Sequence, residues 1–259
     1  MQYVDRCLAK RLEMITARSG QECADEWIEI AGGIATFSGI DSPITQAFGV
    51  GLFGPVSEGE LDQLEDFFFS RGAPVALELC PFIHPSLIAL MKSRPYRLED
   101  FSNVLVRELR PRDEIAAPDS DLQVRAALPQ EIHRYSEIVA EGFSEYVPIS
   151  ETLRRVIENF FRRPSGRCFL ALAGDEIAAG GCVAADRQVA EFYGAATSTA
   201  FRQRGAQSIL IAARLTWALE QGCDLATTTT HPGSSSQRNY ERAGFRVVYT
   251  RSKVVRNKS

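Results

Sequence analysis

The residues with the most chemistry in their order are 196–208, Ala-Thr-Ser-Thr-Ala-Phe-Arg-Gln-Arg-Gly-Ala-Gln-Ser. A strand end there runs into a short basic turn, and an apolar helical run follows at once: Ile209, Leu210, Ile211, Ala212 and Leu215. A helix start leaves its first backbone N–H groups without partners, and the aligned peptide dipoles place about half a positive charge on them. Gly205 lets the backbone close on a ligand with no Cβ in the way, while Arg202 and Arg204 add cations beside the amides. Such a turn is a cradle for phosphate. It would serve equally as a solvated helix cap, and the flanking segments decide between the two.

Those segments have the order a phosphate turn needs. Residues 177–185 and 189–198 read as a strand hairpin after the Gly174-Asp175 turn. Beyond the helix, Gln221-Gly222 stops the period, 223–230 is rich in strand formers, and Pro232-Gly233 breaks it. Residues 234–236 then cap a short helix that ends in Ala243-Gly244-Phe245, and 246–255 returns as a strand.

Arg202, Gly205 and Ala206, placed at a helix start after a strand, resemble the acyl-CoA pyrophosphate loop of the GNAT acetyltransferase superfamily, with Gln207 where the family has another small residue. Tyr240-Glu241-Arg242-Ala243-Gly244-Phe245 resembles the second characteristic GNAT segment, a tyrosine four residues ahead of a glycine-phenylalanine pair. The resemblance covers about 122–255. It implies acetyl-CoA, or another acyl-CoA, as cofactor. The diphosphate would lie on Arg202, Gln203, Arg204, Gly205, Ala206, Gln207 and Ser208, and the pantetheine arm on backbone groups of Ala196, Thr197 and Ser198, where the strand splays from its neighbour. Tyr240 would protonate the departing thiolate, or else anchor its helix as a buried tyrosine.

Glu191 stands six residues before Thr197, an even spacing that puts both on one sheet face. It is a candidate base for the acceptor amine, the alternative being a strand glutamate paired with an arginine. Ser236 shares a helix face with Tyr240, with Asn239 beside them, and that face is expected to meet the cofactor; Asn239 has a bond to the neighbouring strand as its other reading. In GNAT folds the loop between the first two helices sets acceptor specificity, here 141–150, where Phe143, Glu145 and Tyr146 would line a pocket for a cationic or aromatic amine, form a lid, or pack between lobes.

At 259 residues, 45% hydrophobic and 24% charged, the chain has room for two ordinary cores. A net charge of −4 gives no general attraction to nucleic acid or an anionic membrane, so a small molecule is the expected partner; the resemblance implies that it is an amine acceptor, and a homodimer is left open. Six scattered cysteines read as reduced core thiols, and His84, His133 and His231 have no metal-ligand spacing, so no metal is expected. No signal-peptide order or long apolar span is seen, and the cytoplasm is the expected compartment.

The polar stretch 113–121 reads as a linker between residues 1–112 and 122–259. In the first part a strand (47–53), helix (57–70), strand (74–80), helix (86–93) and strand (104–109) repeat the order of the second. The fold class expected is α/β, of the α+β mixed-sheet kind: two GNAT-like lobes, each a mostly antiparallel twisted sheet flanked by helices. At the helix start of the first lobe stand Glu58, Glu60, Asp62, Glu65 and Asp66 without a cation, which would repel a diphosphate. That lobe is either a degenerate copy or an unrelated α/β lobe. The reading is an acyl-CoA-dependent N-acyltransferase with its acceptor near the interlobe cleft; the alternative is a non-catalytic acyl-CoA-sensing or protein-interaction module.

Overall fold

The computed structural model describes residues 5–116, 118–144 and 149–258. They form a mixed α/β protein that divides into two compact units.

The first unit holds residues 1–104 and 247–259. Its elements are α1 (Arg6–Cys23), β1 (Glu26–Ile30), β2 (Gly33–Phe37), β3 (Gln46–Phe48), α2 (Glu58–Phe69), β4 (Val75–Leu79), α3 (Pro85–Met91), most of β5 (Arg97–Glu108) and nearly all of β11 (Arg246–Arg256). The strand order is β1-β2-β3-β4-β11-β5, with β3 and β4 parallel across the α2 crossover. Leu61, Leu64 and Phe68 recur at helical spacing on α2 and are buried. Glu13 on α1 is buried too, accepting from Arg251 Nε at 2.8 Å and from the Tyr249 hydroxyl at 2.6 Å.

The second unit, 105–246, contains the end of β5, β6 (Gln123–Ala126), α4 (Ile132–Phe143), α5 (Glu151–Arg162), β7 (Gly166–Ala173), β8 (Glu176–Asp186), β9 (Val189–Thr197), α6 (Ala206–Glu220), β10 (Leu225–Thr230) and α7 (Ser235–Arg242). Its strand order is β5-β10-β9-β8-β7-β6. β6 to β9 run antiparallel in turn, and β9 and β10 are parallel, joined through α6. Alternation along β8 and β9 buries one face under α6 and the other under α4 and α5.

Three expectations change. The compact units meet inside β5 and at the start of β11, whereas composition put the boundary at 113–121. Polarity and proline mark a connection between strands, and contacts across the strands decide the unit. The strand expected over 47–53 ends at Phe48. Cys168 and Cys182, expected as reduced thiols, are register partners on β7 and β8 and are joined as a disulfide; Cys7, Cys23, Cys80 and Cys223 take part in no disulfide among the described residues. The widely spaced cysteines meet because a two-strand hairpin returns the chain beside itself.

Candidate active site

The parallel β9–β10 ladder runs from the Leu225↔Val189 pair to Thr228↔Phe192, while β9 continues to Thr197 and β10 to Thr230. At this point β9 carries an extra residue. Gly180 faces Ala196 and Cys182 faces Tyr193, so three steps on β9 match two on β8, a β-bulge. Gly194 sits in it at φ +56°, and its carbonyl accepts from the Tyr135 hydroxyl at 2.7 Å; a Cβ there would lie 2.5 Å from that oxygen. Glycine is required on both counts.

The bulge overturns the expected shared face of Glu191 and Thr197. Phe192 packs against α6, so Glu191 and Tyr193 face α5; the inserted residue reverses the sense, Ala196 joins the α4 core, and Thr197 meets Gln207 on α6. Glu191 accepts from Arg163 Nη1 at 3.1 Å, an ion pair with 0% and 10% of the two side chains exposed, and the guanidinium lies 5.2 Å from the Tyr193 ring centroid. Its carboxylate is thus held by an arginine. Ala196 packs directly on α4: a Cβ on Gly142 would come within 2.4 Å of the Ala196 Cβ.

A short 3-10 turn (Thr199–Phe201) leads from β9 toward α6. Ser198 N–H donates to Ala178 O at 2.9 Å, so this amide, expected to be free for a ligand, belongs to the sheet. Strand alternation turns the Ala196 amide the same way and the Thr197 amide toward the opening. Gln203 at φ +67° and Gly205 at φ +79° then swing the chain into the helix. Among the described residues the backbone amides of 203–208 have no acceptor; the first helical bond is Ile209 N–H to Gly205 O at 3.2 Å.

Gln207, the departure from the family pattern, turns aside. Its Nε2 donates to Thr197 Oγ1 at 2.9 Å. Arg204 is ion-paired with Asp121, and the hydrogen bond holds that carboxyl below its usual range. Ser120 Oγ donates to Arg204 O at 3.1 Å, so residues read as linker brace the turn. Arg202 is exposed and, among the described residues, has no ion-pair partner.

Tyr240 is buried on α7, stacked edge-on to Phe192 and Phe245 at 6.2 and 5.1 Å between centroids. Its hydroxyl accepts from Arg214 Nη1 at 3.3 Å. On the same helix Ser236 is exposed, and Asn239 Oδ1 accepts from Arg242 Nη2. Phe143 packs against the α4 core, and Glu145 and Tyr146 lie outside the described residues.

Sequence reading missed Asp121, Thr230 and Arg214. Thr228 Oγ1 donates to Phe192 O at 3.1 Å, closing the last ladder position, and beyond it Thr230 Oγ1 is buried without a hydrogen-bond partner. Arg214 carried a signal that went unread: it is the one charge in the apolar run 206–219. Loop amides, a cation and a buried hydroxyl, each without a partner among the described residues and beside a strand opening, together fit an acyl-CoA diphosphate and pantetheine arm.

Residues 132–245 match the model of the Acetyltransferase (GNAT) family. Residues 132–245 are thus a GNAT acetyltransferase domain. Over 97% of the chain and 96% of the other, the structure resembles a GCN5-related N-acetyltransferase from Kribbella flavida, at TM-score 0.71 and 17% identity. A GNAT-family structure described as a putative acetyltransferase, from Novosphingobium aromaticivorans, matches 95% of this chain and 97% of its own at TM-score 0.61 and 14% identity. A tandem GNAT protein from the clavulanic acid biosynthesis pathway matches 76% of this chain and 68% of its own at TM-score 0.55 and 12% identity. No curated relative matches the chain by sequence. At these identities the structures speak for the fold, and the GNAT domain's mixed sheet with flanking helices is what they share. Among the described residues no helix is long and apolar enough to cross a membrane.

Proposed function

We propose that the GNAT domain is an acyl-CoA-dependent N-acyltransferase that moves an acyl group, with acetyl the first candidate, directly to the amine of a small molecule in the cytoplasm. The observation that carries this is the run of acceptor-free amides at 203–208, at the positive end of α6 and one short turn from the strand opening. Arg202 adds an exposed cation to that end. Bound acyl-CoA supplies an activated thioester carbonyl. The Thr197 N–H, facing the opening, is the candidate donor to that carbonyl oxygen; removing one such donor costs about 3 kcal/mol in known enzymes. Tyr240 holds the proton for the leaving sulfur. The stripped first unit binds no acyl-CoA in this reading.

A second reading, an acyl-CoA sensor without turnover, is favoured by one observation: Glu191 is locked to Arg163, so this carboxylate does not stand free to take the amine's proton. Glu191→Gln separates its roles, since a base loses turnover while an ion-pair partner loses stability. The deciding experiment couples calorimetry with acetyl-CoA and CoA to a panel of amines scored for free thiol release. CoA binding that Arg204→Glu with Gly205→Val abolishes, together with acceptor-dependent thiol, supports the enzyme. Binding without release supports the sensor, and no binding removes both.

A further inference from the structure

Arg214 is fully buried on α6, and no carboxylate among the described residues pairs with it. Its Nε donates to Leu210 O at 3.0 Å, and Nη1 donates to Cys182 O and to the Tyr240 hydroxyl, each at 3.3 Å. The guanidinium lies 4.8 Å from the Phe192 ring centroid, and Nη2 is buried with no hydrogen-bond partner among the described residues. On β8 the chain makes room for it: a Cβ on Gly181 would come within 3.1 Å of Arg214 Cζ. A dry, uncompensated cation is among the most unfavourable groups to keep in a core, and a methionine of similar reach would fill the space without that cost.

A guanidinium only donates. The Tyr240 oxygen therefore accepts from Arg214, and the phenol's one hydrogen is turned elsewhere, with no acceptor among the described residues. Two hydrogen-bond donors, the Tyr240 hydroxyl and Arg214 Nη2, thus lie together without acceptors. Both sit against Phe192, the residue at which the β9–β10 ladder ends. Ala206 lies eight residues earlier on α6, roughly 12 Å along the axis, so this pair is well below the phosphate turn and beside the opening. Donors gathered without acceptors are arranged for negative charge that develops during a reaction.

We propose that Arg214 is a positioning residue for acyl transfer: it fixes Tyr240 as a proton donor and places positive charge beside the leaving sulfur. The inference rests on the acyltransferase reading above. As the amine nitrogen bonds to the acyl carbon, the carbon–sulfur bond breaks and its electron pair goes to sulfur. Tyr240 gives sulfur its proton, leaving a free thiol, and regains one from the amine through solvent. Arg214 keeps its protons throughout.

The test compares Arg214→Met, Arg214→Lys, Tyr240→Phe and the Met/Phe double variant in the full chain, with acetyl-CoA and an amine that the wild type accepts. Arg214→Met should lower kcat by roughly tenfold or more, keep CoA affinity within about threefold, and leave Tm unchanged or raised. Arg214→Lys should recover part of the lost turnover, and Arg214→Met should cost little further in the Tyr240→Phe background. A Met variant with kcat within about threefold of wild type overturns the proposal. So do equal losses in both backgrounds, or failure of both the Met and Lys variants to fold, each of which marks a structural arginine. A wild type that binds CoA but releases no thiol overturns the acyltransferase reading, and this inference with it; an active wild type isolates the role of Arg214.

Discussion

Gln207 and Thr197 are hydrogen-bonded, Nε2 to Oγ1 at 2.9 Å, which ties the first turn of α6 to the last residue of β9. The bond draws the glutamine side chain onto the strand at the place where GNAT sequences carry a small residue. Gln207→Ala removes one half-buried neutral hydrogen bond and is expected to lower stability by about 1 kcal/mol. Because the amides remain, CoA affinity measured by calorimetry should stay within about threefold or improve. A loss beyond tenfold would mean that the amide side chain itself holds the ligand.

Arg202 and Arg204 are not equivalent. Arg204 is balanced by Asp121, whereas Arg202 has no ion-pair partner among the described residues, so Arg202→Ala should weaken CoA binding more than Arg204→Ala. Asp121→Asn frees Arg204 and removes a carboxylate near the phosphates; affinity should rise roughly twofold at low salt, with the gain fading as salt screens it. Titrations at two ionic strengths check both statements.

The two helix starts that follow a parallel-strand crossover differ in who satisfies them. At α2, Ser57 caps the helix: its Oγ accepts from Glu60 N–H at 3.3 Å, and Glu60 Oε2 accepts from Ser57 N–H at 2.8 Å. Asp62 and Glu65 are paired with Arg94. The α6 start has no such cap. We therefore expect a single CoA per chain in calorimetry, unchanged by Glu60→Ala, whose cost of about 1 kcal/mol should appear only in unfolding. A second bound CoA would contradict this.

Glu78 on β4 is expected to give the first unit a pH dependence. Burial, opposed by Arg251 and Lys253 and reinforced by Glu13, raises its carboxyl above the ordinary value of 4.5. The folded state then holds this proton more tightly than the unfolded chain, so the contribution to stability is present below 4.5 and is lost as pH rises through the folded value. Glu78→Gln should flatten the fall in Tm between pH 4.5 and neutrality. An unchanged slope would exclude Glu78 as its source.

Much of the second unit was legible because its signals are local. Gly205 at φ +79° is the helix N-cap the turn required, Ser234 caps α7 through Gln237 N–H, and α6 keeps its apolar period. The expected shared face of Glu191 and Thr197 failed for a reason that no local count contains: a bulge at Gly194 depends on a partner strand and on Tyr135 behind it. The brace from Ser120 and Asp121 was hidden likewise, since residues separated by 84 and 83 positions meet only through the sheet.

The sequence by itself determined the GNAT-like motifs of the second unit, the strand-turn-helix cradle and the acid-rich start of α2, because caps, turns and periodicity act over a few residues. Only the tertiary structure decided which face each β9 side chain serves, that Arg163 holds Glu191, and that Arg214 lies dry beneath Tyr240. Those facts depend on strand register and on burial, and both are set by contacts between segments far apart in the chain.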